Sequence, residues 1–351
     1  MEKLGAPVLV VLFIAAAGAT WAAGVLLSKA TNALDTRLNL GEAMGGMVLL
    51  AIAGSLPELA ITVSASATGK LGLVAGNLVG GIAVQTAVLV VCDAFASRTT
   101  PLSFLVGSLI PVLEGVLVVA IVTVMLLGAL LPTSVMVGGV SPASIAMVAL
   151  WLGGLWVINR VRKSPRWKVD MVDSKPGRPH RRIAHSSVPH PFLKRSTAFV
   201  AVVFAAGSVI TLVAGVVLAT SGGALADRAG INGVIFGATF LSLATALPEI
   251  STGIAAVRLG DHQLAMGDIF GGNAFQLCLF LVADLVARKP LLPTLGVQNA
   301  WLGGLGILMT TVYVAAVVVR PRRCFLRLGF DSISVVLVYG LGILGLTTLA
   351  R

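Results

Sequence analysis

Two proline–glutamate pairs, Pro57-Glu58 and Pro248-Glu249, lie within apolar segments in the two halves of this 351-residue chain. A carboxylate in the middle of a membrane-spanning helix is costly to bury, and such residues are by default functional. Proline inside a helix removes a backbone hydrogen bond and leaves the carbonyl four residues earlier without its donor. Carboxylate and carbonyl oxygens are the ligands that hard cations such as Ca²⁺ and Na⁺ prefer. The two pairs therefore predict the acidic ligands of a cation pathway.

The residues around each pair supply further oxygen atoms. The carbonyls that the prolines free are expected to be those of Ala53 and Ala244, and the hydroxyls of Ser55 and Thr245 lie in the same turns. In an alternative interpretation, the prolines are tolerated kinks and each glutamate pairs with a lysine or arginine. This alternative is disfavoured because the expected membrane spans carry lysine and arginine only at their ends.

The composition indicates where these residues must sit. The chain is 57% hydrophobic and 11% charged, with a mean hydropathy of +0.99, whereas soluble domains carry about 25% charged residues. A spanning helix needs roughly 20 apolar residues. We therefore predict an all-α polytopic membrane protein with ten transmembrane helices. They are expected at residues 6–28, 43–67, 72–95, 103–131, 134–158, 196–220, 234–258, 264–287, 298–319 and 331–350.

An internal repeat organises these spans. A shift of 191 residues aligns the halves without gaps, and sixteen of the 48 positions from Gly46 to Asp93 are identical to their partners. We predict a first five-helix repeat at 1–158 with its core at 43–95, a linker at 159–195, and a second repeat at 196–351 with its core at 234–287. Because five is odd, the second repeat is expected to be inverted in the membrane. Transporters with inverted repeats bind substrate near the midplane, between the repeats.

The third span of each repeat contains glycines four residues apart and one glutamine. The glycines allow close helix contact, which is expected to bring Gln85 and Gln276 toward the glutamates. Each glutamine follows its glutamate by 27 residues. A buried amide needs hydrogen-bonding partners. A bound cation would satisfy the glutamine carbonyls, and hydrogen bonding between helices is the alternative.

These motifs resemble the two α-repeats of the Na⁺/Ca²⁺ exchangers, within the calcium:cation antiporter superfamily. The resemblance implies that Glu58 and Glu249 are central Ca²⁺ ligands and that Gln85 and Gln276 flank them. Asn273 keeps the last asparagine of the third-helix motif. Several hydroxyl and amide positions of the family pattern are replaced, by Gly81, Gly272 and Ile82 among others, so proton coupling stays open beside sodium coupling.

The function that the resemblance implies is a secondary-active antiporter, not an enzyme, with no cofactor. It would exchange Ca²⁺ for Na⁺ by alternating access, with the paired glutamates as cation ligands. A H⁺/Ca²⁺ or other cation antiporter that uses the same glutamates as proton carriers is the alternative. A cation channel, which also uses acidic side chains, is a further one.

The basic residues predict the orientation. Eleven of the 25 lysines and arginines lie between Arg160 and Arg195, and cytoplasmic loops collect such residues. We therefore expect a cytoplasmic linker and both termini outside, in a bacterial-type plasma membrane. The partners expected are Ca²⁺, Na⁺ or H⁺ and the lipid bilayer, and no nucleic acid.

Four further acids lie within or near the expected spans. Asp93 and Asp284 are repeat partners, and we expect them to be interfacial anchors or helix-packing partners. Glu114 is aligned with a leucine, so a pathway role and a structural role both stay open. For Asp268 a vestibule or capping role is favoured over direct ligation of a cation.

Overall fold

Long apolar runs form helices in lipid because a helix satisfies every backbone polar group internally. The computed structural model describes residues 4–38, 51–132, 138–163 and 195–349, together with Val135 and Phe192, and this part of the chain is predominantly α-helical. The helices are α1 Ala6–Leu38, α2 Leu56–Ala67, α3 Leu71–Ala96, α4 Leu102–Leu105, α5 Ile110–Ala129, α6 Pro142–Lys163, α7 Thr197–Ala229, α8 Gly233–Phe236, α9 Ser242–Thr245, α10 Leu247–Arg258, α11 His262–Gln276, α12 Leu279–Ala287, α13 Val297–Val319 and α14 Phe330–Thr348.

A π-helical segment, a 3₁₀ turn and two short strands connect some of these helices. A π-helical segment, Gly237–Leu241, joins α8 to α9, and a 3₁₀ turn, Leu292–Thr294, precedes α13. Strands β1 Cys324–Phe325 and β2 Leu328–Gly329 pair in an antiparallel hairpin before α14.

Eight spans within the described ranges are long and apolar enough to cross a membrane, or nine if the bent pair Gly233–Thr245 and Leu247–Arg258 counts as one. The expected span 43–67 begins in the gap at residues 39–50, outside the described residues; its described part is helical at 51–54 and in α2. The prediction of ten therefore depends on a span that is described only in part.

Two expected spans have different boundaries in the structure. The span 103–131 is broken between α4 and α5, because Gly107 adopts a left-handed backbone (φ 58°) and Pro111 fits the first turn of a new helix. The span 134–158 begins only at Pro142 and continues to Lys163. Residues 159–163, expected at the start of the linker, are helical, and basic residues in a last helical turn interact favourably with the helix dipole. Most of the remaining linker lies outside the described residues.

The repeat is visible in the helix boundaries. At the offset of 191 residues, α1 aligns with α7 and α2 with α10 from end to end, and α3 aligns with α11 and α12 together. Helix α3 is the most enclosed span, with 72% of its apolar window buried, against 22% for α1. The third helices therefore form the centre of the bundle, while α1 packs along α7 at its periphery.

Asp93, near the end of α3, connects the two halves. One carboxylate oxygen accepts the backbone N–H of Leu102 at 2.6 Å, and the other accepts the N–H of Gly329 and the hydroxyl of Ser332, both at 2.7 Å. The last two residues lie at the start of α14, in the other half of the chain.

Its repeat partner Asp284 makes the reciprocal contacts. It accepts the backbone N–H of Leu291 at 2.7 Å, the N–H of Ser141 at 3.1 Å and the hydroxyl of Ser144 at 2.7 Å. Each third helix is thus tied to the fifth helix of the other half. The prediction that these two acids are helix-packing partners is confirmed.

Candidate cation site

Each proline–glutamate pair begins a new helix after a break. The helical residues 51–54 are separated from α2 by a turn at Ser55, and α10 is bent by 44° from Gly233–Thr245 at Ala246. Glu58 and Glu249 therefore lie in the first turns of α2 and α10. Negative charge is favoured there because unpaired N–H groups and the helix dipole point toward it.

Glu58 is 1% exposed and sits among polar groups from both halves. The Gln85 amide donates to its Oε1 at 3.4 Å, and the Thr245 hydroxyl lies beside the carboxylate. Its Oε2 has no hydrogen-bond partner among the described residues. Glu249 lies within electrostatic range of Glu58, and its Oε2 also has no partner in the same part of the chain.

The two glutamines meet at the contact between α3 and α11. Gln85 Nε2 donates to Gln276 Oε1 at 3.0 Å, and Gln276 Nε2 donates to the carbonyls of Asn77 at 3.1 Å and Leu78 at 2.9 Å. A Cβ at position 81 would lie 2.2 Å from Gln276 Nε2, so a larger residue there would displace this amide from its present position.

A cavity of about 420 Å³ reaches this cluster. Ala53, Ser55, Gln85 and Glu249 line its inner end. Gln85 Oε1 faces Gly272, since a Cβ on that glycine would lie 3.8 Å away. The inner end of the cavity therefore presents carboxylate, amide and hydroxyl oxygens.

Four of the nine predicted ligand residues line the cavity: Ala53, Ser55, Gln85 and Glu249. Glu58 and Gln276 lie one step behind, each hydrogen-bonded to Gln85, and Thr245 lies beside Glu58. Ala244 is buried and is not in the cavity wall. Asn273 donates to the Thr86 hydroxyl at 3.2 Å, while its Oδ1 has no partner among the described residues.

Sequence reasoning missed Thr252 and Arg162, which also line the cavity. The Thr252 hydroxyl donates to Asp268 Oδ2 at 3.2 Å. Thr252 follows Glu249 by three residues, and this spacing on a helix places two side chains on one face, so the signal was available. Arg162 gave no such signal, because its position in the cavity follows from how α6 packs.

Basic side chains do not neutralise the glutamates in the part of the chain that the structure describes. Within the described ranges the only ion pair is Lys70–Asp227, at 2.6 Å, and no three His, Cys, Asp or Glu side chains there are grouped to hold a metal. A cation at the paired glutamates would therefore also need amide, hydroxyl or water oxygens. Such mixed oxygen sets suit hard cations.

The comparison with protein families decides the relationship. The family described as sodium/calcium exchanger protein matches this chain at residues 8–159 and 199–348. The chain belongs to this family. The resemblance seen in the motifs is confirmed, and the two matched segments correspond to the two halves of the repeat. The family consists of membrane cation antiporters, so this protein is a transporter and not an enzyme.

Two curated relatives support the assignment. Inner membrane protein YrbG of Escherichia coli (strain K12) is 25% identical over 237 residues, which cover 67% of this chain and 66% of that protein. Putative antiporter CaxA of Alkalimonas amylolytica is 23% identical over 270 residues, covering 76% and 77%. The matched region thus spans just under two thirds of the Escherichia coli protein.

Solved structures share the fold across nearly the whole chain. The H⁺/Ca²⁺ exchanger CAX superposes with a TM-score of 0.67 at 14% identity, covering 97% of this chain and 86% of that one. The sodium-calcium exchanger NCX_Mj, soaked with Na⁺ and Sr²⁺, gives 0.61 at 16% identity, covering 97% and 99%. Native YfkE gives 0.61 at 16% identity, covering 98% and 97%. The all-α, inverted-repeat membrane fold is therefore confirmed.

Proposed function

We propose that this protein exchanges Ca²⁺ for a monovalent cation across the membrane, with Glu58 and Glu249 as the central ligands. The observation that carries the proposal is the meeting of the two repeats at one cavity. Glu249 and Gln85 line it, the Glu58 carboxylate accepts from the Gln85 amide directly behind, and no basic side chain among the described residues forms an ion pair with either glutamate. Ser55 and the Ala53 carbonyl are additional ligands, and Gln276, Thr245, Ala244 and Asn273 support the site from behind.

Two carboxylates balance one Ca²⁺, or two monovalent cations when Ca²⁺ has left. Na⁺ is the proposed coupling ion, in keeping with the family. Protons are the second candidate, because like charges within interaction range raise the proton affinity of one group, and because the amides of Gln85 and Gln276 stand where additional acids would be. The repeats at 1–158 and 196–351 would provide alternating access. The basic linker is proposed to be cytoplasmic, with both termini outside.

Transport in liposomes tests this function. The purified full chain is reconstituted, and Ca²⁺ uptake is measured under an outward Na⁺ gradient and, separately, under a proton gradient. Glu249→Gln keeps the shape of the side chain and removes its charge. We expect uptake in the wild type and its loss in this variant.

Asp227→Asn is the matched control. It also removes one carboxylate, but Asp227 is 67% exposed and does not line the cavity. Its uptake should equal that of the wild type. Uptake only under the proton gradient would replace Na⁺ by H⁺ as the coupling ion. Undiminished uptake by Glu249→Gln would reject the role of the glutamates, and no Ca²⁺ flux under either gradient would reject the substrate.

A further inference from the structure

The cavity carries two more carboxylates between Glu249 and its outer end. Glu114 on α5 and Asp268 on α11 line it, together with Arg162 and Asp261 near the mouth. We call this end of the cavity, at Arg162 and Asp261, the linker side, because α6 ends there. Across the repeat, Glu114 aligns with a leucine and Asp268 with an asparagine. The extra negative charge therefore belongs to one side of the protein only.

Glu114 packs against α11 next to the position of Asp268 in the chain. The Glu114 carboxylate lies against Gly267, where a Cβ would be 2.9 Å from its Oε2 and 3.6 Å from its Oε1. Asp268 is the next residue of the chain, and the two carboxylates are within electrostatic range. The Thr252 hydroxyl, 3.2 Å from Asp268 Oδ2, adds a third oxygen.

One oxygen of this group lacks the hydrogen-bond partner that a purely structural role would give it. Glu114 Oε2 is inaccessible to solvent and accepts no hydrogen bond from the described residues. Buried polar atoms in native proteins normally have a partner. Arg162 lines the same cavity within electrostatic range of Glu114, but neither Glu114 nor Asp268 forms an ion pair with it within the described ranges.

The cavity is large enough for an ion that keeps part of its water. Its volume of about 420 Å³ far exceeds the roughly 30 Å³ that one water molecule occupies in the liquid. Charges of one sign in a cleft with apolar walls raise the local concentration of counter-ions. Two carboxylates and a hydroxyl, completed by water, are a ligand set suited to a divalent cation.

We propose that Glu114 and Asp268, with the Thr252 hydroxyl, form a second cation-binding site on the linker side of the paired glutamates. It takes a hydrated divalent cation. Its assignment to Ca²⁺ rests on the proposed function. An ion that enters from the linker side binds at this second site before it reaches Glu58 and Glu249. An ion that leaves on that side binds there after it has left them. The opposite face has no equivalent acids at the repeat-related positions, so the site acts on one side only.

Ion binding tests the site directly. Radiolabelled Ca²⁺ is titrated onto the purified full chain, and the number of bound ions is counted. We expect two per chain in the wild type and one in Glu114→Gln, in Asp268→Asn and in Glu249→Gln. Asp268→Asn introduces the residue type of its repeat partner Asn77, and Asp227→Asn is the control that should keep both ions. Thermal unfolding of each variant checks that it is folded.

Transport measured separately for Ca²⁺ presented on each side of the membrane provides the second test. In vesicles of known orientation, Glu114→Gln and Asp268→Asn should raise the KM for Ca²⁺ presented on the linker side. The expected rise is about tenfold or more, comparable to the loss of an outer partner at a metal site. The KM from the opposite side should not change.

A single bound ion in the wild type would overturn the proposal, as would a KM that is unchanged on both sides or raised equally on both. The failure of the proposed function is a different result. A wild type without Ca²⁺ flux under any gradient would reject exchange, while the count of bound ions would still decide whether the second site exists.

Discussion

The two third helices have the same sequence pattern but different surroundings. In the first half, Gly76 and Gly80 of α3 press against α8 and the π-helical segment, so closely that a Cβ would lie 2.2 Å from the Val234 carbonyl oxygen and 2.3 Å from the Ala238 side chain. Their repeat partners Gly267 and Gly271, on α11, line the cavity. The repeated motif is thus packed tightly against neighbouring helices in the first half and borders the cavity in the second.

This difference shows how the two halves of an inverted repeat can give unequal access to a shared site within the described part of the chain. If both halves packed identically, the central glutamates would be accessible from both sides or from neither. The cavity instead extends from Glu249 to Arg162 and Asp261, while at the other face Lys70 pairs with Asp227. Exchanging the surroundings of the two halves would open the opposite side, which is the change that alternating access requires.

The glycine pair gives the largest expected difference in stability. Gly76→Ala places a methyl group against the backbone of Val234, which cannot move aside, and overpacking of this kind costs about 1–3 kcal/mol or more. Gly267→Ala meets the flexible Glu114 side chain at 2.9 Å, so its cost should be smaller. Thermal unfolding in detergent compares the two variants. Equal melting temperatures would show that α3 is no more tightly packed than α11.

The paired aspartates mark where the halves are equivalent. In Asp93→Asn and Asp284→Asn, a charged carboxylate that accepts three hydrogen bonds is replaced by a neutral amide. The amide N–H₂ group cannot accept a hydrogen bond, and the single oxygen that remains is uncharged. Hydrogen bonds to charged groups contribute about 1.5–3 kcal/mol, so both variants should lose about 2 kcal/mol of unfolding free energy. The same unfolding assay measures this. A large loss of unfolding free energy in one variant and none in the other would show that the two aspartates are equivalent in the sequence but not in their contribution to stability.

The two glutamines give the smallest expected difference in stability. Their variants distinguish a structural role from a role in cation binding. Gln276→Leu removes the donor to two buried carbonyls, those of Asn77 and Leu78, and should destabilise the protein by about 1–2 kcal/mol. Gln85→Leu should destabilise it less but raise the KM for Ca²⁺, because Gln85 contacts Glu58 and lines the cavity. The reverse pattern would assign the ligand role to Gln276.

Much of the fold was predictable because the signals are local. Apolar runs of about 20 residues specify membrane helices in any surroundings, and proline disturbs helical hydrogen bonding wherever it lies, so most spans and the local disturbance at both proline–glutamate pairs were predicted, although the spans themselves were expected to be continuous. The early start predicted for α6 and the unbroken span 103–131 were wrong. There Pro142, Gly107 and Pro111 outweigh the hydropathy signal.

The sequence by itself determined that this is a helical membrane protein built from two related halves, each with one acid in a broken helix. Helical periodicity and proline chemistry act over a few residues, so they can be recognised in the sequence without knowledge of the fold. Only the tertiary structure decided that Gln85 meets Gln276 across 191 residues of chain, and that the cavity opens toward Glu114 and Arg162. Such contacts depend on how closely whole helices pack, and identical motifs can pack differently when their neighbours differ.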